Sequence, residues 1–417
     1  MELKRVVVTG IGAISPLGNS VEETWTGLLN GVSSAGIITK FDPSKFKSQV
    51  ACEVKGFNAE KYLEKKEIRK YDLYALYAIA SAEEAVKDAG LNLDTINKDR
   101  VGVIWGSGIG GLITFYDEIT AFAKSDGTPR FNPFFIPKMI ADIAAGHISI
   151  RYGFTGPNFT TTSACASSAN AIVDAFNYIR LGKADMFVTG GSEAAVNPAG
   201  IGGFSAMHAI STRNDDPATA SRPFDKDRDG FVLGEGGAAL ILEELEHALK
   251  RGAKIYAEVV GGGLTADAYH ITSPHPEGIG AAMVMKLALE DANMQPEEID
   301  HINTHGTSTP LGDIAETKAI VKVFGHYAPK ININSTKSMT GHLLGAAGAI
   351  ESIATLLAVY NDIIPPTINL FNLDPEIDPN LNFTPHKAVK RTVNAAITNT
   401  FGFGGHNVSI IFKKYKQ

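Results

Sequence analysis

Cysteine and tryptophan are scarce in this 417-residue chain, at two residues each. Two cysteines, Cys52 and Cys165, cannot build a disulfide framework, and their number fits a reducing compartment. No uninterrupted apolar run reaches the roughly 18–20 residues needed to cross a bilayer. The N-terminal stretch MELKRVVVTGIGAISPLG lacks the basic start, apolar core and small-residue cleavage site of a secretion signal. These absences lead to the expectation of a cytoplasmic protein without membrane insertion. Basic residues are also outnumbered, at 38 against 45 acidic ones, for a net charge of −7. General nucleic-acid binding needs a basic surface and is excluded by that balance. A small basic patch facing an acidic partner is still compatible with it. HExxH and CxxC spacings are missing, so no metal centre is expected. No low-complexity stretch or linker divides the chain.

Glycine, by contrast, is abundant at 42 residues. It clusters at Gly106–Gly111, Gly190–Gly191, Gly261–Gly263 and Gly402–Gly405, each after an apolar or β-branched run (Val101–Trp105, Met186–Thr189, Tyr256–Val260, Ala395–Thr400). A strand feeding a tight glycine turn is an α/β habit, used where backbone bends sharply or approaches a ligand. Further strands are expected at Arg5–Thr9, Ile331–Asn334 and Val408–Phe412. Apolar spacing predicts helices over Tyr74–Ala89 and Ala281–Asn293. Residues 363–386 read as an ordered loop, too apolar for a disordered tether.

Two segments correspond. Asn158–Ala175 runs from a strand through TSACASSANA into a helix. Ile331–Val359 runs from a strand through STKSMTGHLLGAAGA into a second helix. Both helices begin with tiny residues, which permits close packing against another backbone. The expectation is two related halves, residues 1–253 and 254–417, each offering one helix start to a shared site.

Cys165 is the candidate nucleophile. Its place at the start of a helix predicts a bias towards thiolate. Cys52, in the alternating segment Val-Ala-Cys-Glu-Val, reads as structural. His305 ends a strand in Ile302–Pro310, and His342 follows Lys337 by five residues. Two histidines and a lysine on strand-end loops of one half, with a cysteine from the other, make a plausible site. His147, His208, His247, His270, His301, His326 and His386 read as core or loop residues. The Gly106–Gly111 loop lacks the acidic residue that a dinucleotide site requires.

The segments TTSACASS, NTHGTSTPLGD, STKSMTGHLLGAAGAIE and TNTFGFGGHN occur in that order. With VVVTGIGAISPLGNS at the start and ASRPFDKDRDGFVLGEGGAALILEELEHALKRGAKIYAEVVG in the middle, the chain resembles, over essentially its whole length, the elongating β-ketoacyl-[acyl-carrier-protein] synthases, type II. The resemblance implies the thiolase fold, five α-β-α-β-α layers built from two similar halves, in a homodimer. It implies acyl transfer to Cys165, then decarboxylating condensation with a malonyl group. Substrates would arrive on the phosphopantetheine arm of acyl carrier protein, with no cofactor required.

By the same resemblance, His305 and His342 assist decarboxylation, and Lys337, paired with Glu351, sets their charge environment. The amides of Cys165 and Phe403 form an oxyanion hole. Ile109 and Phe403 gate the acyl pocket, near Phe134 and Phe135. Thr307 and Thr309 hold the phosphopantetheine, with turn capping as their bland alternative. Lys65, Lys66, Arg69, Lys70 and Arg130 would dock the carrier protein, with a solvated surface as the alternative. A cation near Glu351 occurs in some relatives. His208 and His406 depart from the commoner family residues. A degradative thiolase would need a second catalytic cysteine, and an initiating synthase an asparagine in place of His342. A chain-length-factor-like subunit would lack Cys165. A polyketide ketosynthase uses the same residues, and a stand-alone chain favours the fatty-acid reading.

Overall fold

The computed structural model describes residues 3–416. In chain order the first half contributes strands β1 (Val6–Ile14), β2 (Gly36–Ile37), β3 (Val50–Cys52), β4 (Val101–Gly106) and β5 (Asn158–Thr161). It continues with β6 (Met186–Glu193), β7 (Leu233–Gly234) and β8 (Gly236–Glu244). The rest supplies β9 (Ala257–Ala266), β10 (His301–Asn303), β11 (Asn332–Asn334), the short pair β12 (Ile363–Ile364) and β13 (Val389–Lys390), then β14 (Ala395–Gly402) and β15 (His406–Lys413).

Ten of these strands form one sheet in the order β11-β10-β14-β15-β9-β1-β8-β6-β4-β5. Read outward from the β1–β9 seam, both arms follow one scheme: antiparallel, antiparallel, parallel, parallel. Only three residue pairs, from Val6↔Val259 to Val8↔Ala257, join the arms. The parallel strands are short, and β4, β10 and β11 are buried because helices cover both faces.

Six helices complete the layers: α1 (Leu73–Asp88), α2 (Ile143–Tyr152), α3 (Ser167–Arg180), α4 (Ile279–Asp291), α5 (Pro310–Phe324) and α6 (Ala347–Asn361). The Asp72 carboxylate caps α1 by accepting from the Tyr74 amide, the usual use of an acidic residue at a helix start. α1 lies outside one arm and α4 with α5 outside the other, while α3 and α6 pack together between the arms. The result is the five-layered thiolase fold.

The central contact explains the small residues. A Cβ on Gly348 would lie 2.7 Å from the Ala169 amide nitrogen, so only glycine permits this approach. The segment Leu344–Asn361 has the length and hydropathy of a membrane span, yet 89% of it is buried within the protein. Residues 363–386 are mostly irregular, as expected, and are anchored by buried Ile368, Ile377, Leu381 and Phe383.

Candidate active site

Cys165 sits in a single tight turn, Ala164–Ala166, that leads from β5 into α3. Ala164 has φ +52°, in the left-handed region, which costs energy for a residue with a Cβ. The other half repeats the device: Leu344 has φ +48° before α6. Two matching elbows thus face the central layer, one bearing Cys165 and the other Gly345.

The thiol departs from its sequence-based expectation. Cys165 is buried, 8% exposed towards the cavity, and burial pushes its pKa up to about 12. The Lys337 charge and the amides of Phe403 and Cys165 pull the other way but do not overcome desolvation. The resting sulfur is therefore a thiol, not a thiolate: burial penalises the anion more than the elbow favours it.

The histidines arrive from the opposite half. His342 Nε2 lies 3.1 Å from Cys165 Sγ. The rings of His305 and His342 are 5.3 Å apart and almost perpendicular. Burial, followed by the Lys337 charge, holds both imidazoles well below the usual histidine range, so both are neutral near pH 7. Lys337 is itself buried and paired with Glu351, also buried. Burial raises Glu351 to about 7 while the lysine opposes that rise.

A cavity of about 450 Å³ opens onto Cys165, His305 and His342. Thr307 and Thr309 line it with their hydroxyls 3.0 Å apart. Thr309 precedes α5 without making a side-chain cap, so the capping alternative does not describe it. Phe403 also lines the cavity, and its amide joins that of Cys165 at the sulfur. Gly402 is needed beside it, since a Cβ there would sit 2.6 Å from Ser163 O.

Other sequence-based candidates are placed differently. Ile109 is 40% exposed and outside the residues lining this cavity, with its amide held by Glu193. Phe134 is exposed as well. Lys66, Lys70 and Arg130 pair with Glu64, Glu67 and Asp126, all at the surface. Lys70 lies 5.8 Å from the Phe134 ring. Lys65 and Arg69 are exposed, with no ion-pair partner among the described residues. Among the histidines read as structural, His147 stacks on Tyr71 and His301 bonds Asn332 O. His208 lies in a turn, as read, and also lines the cavity.

Sequence reasoning missed Glu316. Its carboxylate accepts from the His305 and Gly306 amides and orients the turn that carries His305. It is buried and raised to about 7 by desolvation. Its signal was present: Asp313 and Glu316 stand three apart at the start of α5, on one helix face. Phe401, 5.7 Å from the His305 ring, was missed too.

Among the described residues no group of three or more His, Cys, Asp or Glu is placed to hold a metal. Asn303 Oδ1, Thr398 Oγ1, Glu351 Oε2 and Ser352 Oγ are among the buried side-chain oxygens that lack hydrogen-bond partners. Asn303 and Thr398 are direct neighbours across β10 and β14, and α6, which carries the other two, packs on both strands.

A buried cysteine on one elbow, facing two neutral histidines and a buried lysine inside a thiolase fold, defines a condensing acyltransferase. The chain belongs to the β-ketoacyl synthase family: the N-terminal domain of that family matches residues 3–248 and the C-terminal domain residues 256–371. It is 50% identical to 3-oxoacyl-[acyl-carrier-protein] synthase 2 of Synechocystis sp., over 100% of this chain and 99% of the relative. The Staphylococcus aureus (strain COL) protein of that name is 48% identical, over 99% of each chain. Among solved structures, the ishigamide ketosynthase/chain length factor has a TM-score of 0.93 at 36% identity, covering 99% of this chain and 100% of that one. A type II polyketide ketosynthase in complex with its acyl-carrier protein has a TM-score of 0.91 at 34% identity, with the same coverages.

Proposed function

We propose that this protein extends acyl chains on acyl carrier protein by two carbons, as a fatty-acid-elongating 3-oxoacyl synthase of type II. The observation that carries the reading is Cys165 Sγ at 3.1 Å from His342 Nε2, with His305 alongside, in the cavity lined by Thr307 and Thr309. In the first step the sulfur attacks the acyl thioester, and the carrier's phosphopantetheine thiol departs with the proton. The oxyanion that forms meets the Cys165 and Phe403 amides, a fixed pair of donors in a dry site. A covalent intermediate divides one hard transfer into two accessible ones.

The malonyl thioester then enters along Thr307 and Thr309. Its carboxylate leaves as carbon dioxide, and the electron pair becomes an enolate. Nε2 hydrogens on His305 and His342 stabilise the enolate oxygen. Neutral imidazoles suit that task, because they donate hydrogen bonds without surrendering the proton to carbon. The nucleophilic carbon attacks the Cys165 thioester, Sγ leaves as a thiolate that takes a proton from water, and a 3-oxoacyl product two carbons longer results. No step draws on a cofactor.

Similarity near 50% to curated synthases, against 34% to the type II polyketide ketosynthase structure, supports the fatty-acid reading over the polyketide one. The structure with a bound carrier protein supports docking of an acidic partner. We assign that docking to Lys65, Lys66, Arg69, Lys70 and Arg130. A second copy of the chain would cover the exposed face of Phe115, Phe122, Phe131, Phe134 and Ile136, which is large and apolar for a free surface. A structural cation near Glu351 would take oxygen ligands, and Glu351 Oε2, buried without a hydrogen-bond partner, is an oxygen that could meet it. Two buried, free cysteines suit a reducing cytoplasm. The test is intact-protein mass spectrometry with acyl- and malonyl-carrier protein. An acyl adduct on Cys165 and a product two carbons longer are expected, and the absence of either refutes the reading.

A further inference from the structure

Both polar backbone groups of His342, a residue of the second half, are committed to the first half. Its amide donates to Val232 O at 2.8 Å, and its carbonyl accepts from the Gly234 amide at 2.9 Å. This is a parallel bridge to Leu233. β7 in turn pairs with β3, and β3 with β2, so His342 lies at the edge of a small three-stranded sheet. The approach is close: a Cβ on Gly234 would fall 2.8 Å from Thr340 O, and one on Gly341 would fall 2.7 Å from Cys52 Sγ.

The same small sheet carries an ion pair remote from the chemistry. Lys40, just beyond β2, reaches Glu235, which directly follows β7, with Nζ at 2.5 and 2.6 Å from the two carboxylate oxygens. Glu235 is fully buried and also accepts from the Val54 amide, just beyond β3, at 3.0 Å. The pair therefore ties all three strands to one another. Neither residue is among those lining the cavity.

We propose that the Lys40–Glu235 pair is a positioning element: by locking β2 and β3 onto β7, it fixes the backbone of His342 and so the reach of His342 Nε2 towards Cys165 and the malonyl group. This inference rests on the function proposed above. Displacing a catalytic group by about 1 Å costs on the order of a hundredfold in rate, so a remote tie that holds a histidine backbone is felt in chemistry before it is felt in binding. The oxyanion amides and Thr307 and Thr309 hang on other segments. A loosened His342 therefore impairs decarboxylation selectively.

The test uses the full-length protein with Lys40→Met and Glu235→Gln combined. Removing both charges at similar volume leaves no stranded buried ion and is close to neutral for folding, and the glutamine keeps an acceptor for Val54. Release of carbon dioxide from malonyl-carrier protein should fall at least about tenfold. Self-acylation of Cys165 should fall clearly less than decarboxylation and KM for the carrier should be unchanged, because the oxyanion amides and Thr307 and Thr309 are untouched. Lys40→Arg, which preserves the pair, should behave as the unmodified protein. Should the double variant not fold, Cys52→Leu presses on Gly341 from beneath and should give the same split. Unchanged decarboxylation in a folded variant, or an equal fall in both half-reactions, overturns the inference. Failure of the unmodified protein in both half-reactions would instead refute the proposed function.

Discussion

Cys165 and His342 stand 177 positions apart in the chain, yet Sγ and Nε2 are 3.1 Å from each other. The contact crosses the interface between the two halves, so it depends on the packing of α3 against α6. Because the thiol is buried and protonated at rest, the acyl carrier must bring its thioester to a neutral nucleophile.

Cys165→Gln removes the nucleophile and places an amide where the acyl thioester would lie. Acyl adducts and condensation products should vanish. Carbon dioxide release from malonyl-carrier protein should persist, since His305, His342 and Lys337 remain. Mass spectrometry and a carbon-dioxide assay on one preparation check both halves of the statement.

Lys337→Met strands Glu351 as an uncompensated buried carboxylate. Breaking one side of a buried pair costs about 3 kcal/mol or more. Denaturant unfolding should show that loss, whereas Lys337→Met combined with Glu351→Gln should recover much of it. Neither variant should regain activity, because the Lys337 charge that acts on both histidines beside burial is absent.

Gly402→Ala adds a methyl group 2.6 Å from Ser163 O. The turn must shift and carry the Phe403 amide away from the developing oxyanion. Losing one such donor lowers kcat by about a hundredfold. Steady-state kinetics should show this fall in kcat with KM for the carrier protein nearly unchanged.

His301 is buried, bonded to Asn332 O, and held at about 4 by desolvation. Its folded pKa lies below the ordinary value of 6.5, so the unfolded chain binds the extra proton between those limits. The stability it contributes is present above pH 6.5 and is lost as pH falls towards 4. His301→Gln keeps a donor for Asn332 and does not titrate. Relative to this variant, the unmodified protein should lose about 3 kcal/mol across that window, measured by unfolding at each pH.

Much of this architecture was legible in the sequence. Helices expected at Tyr74–Ala89 and Ala281–Asn293 appear at Leu73–Asp88 and Ile279–Asp291. Apolar periodicity is local, and so it survives without tertiary knowledge. The paired elbows were visible because both halves place tiny residues after a strand. The state of the Cys165 thiol was not legible, since burial in three dimensions reverses what the start of a helix suggests. Glu316 escaped because a carboxylate on an amphipathic helix looks solvated until the helix is docked. The exposure of Ile109 was not legible either, because spacing along the chain does not reveal which side of a cavity a loop supplies.

The repeated elbow has a consequence for how many reactions one chain can run. Gly345 occupies the position in its half that Cys165 occupies in the other, but a Cβ there would lie 2.3 Å from the Gly108 amide nitrogen and 2.5 Å from a Glu193 oxygen. The backbone that carries Ile109 fills the ground a second nucleophile would need. Internal symmetry thus ends at this pair of turns: one copy became the workbench and the other the floor beneath it, and each chain is left with a single place to build a carbon–carbon bond.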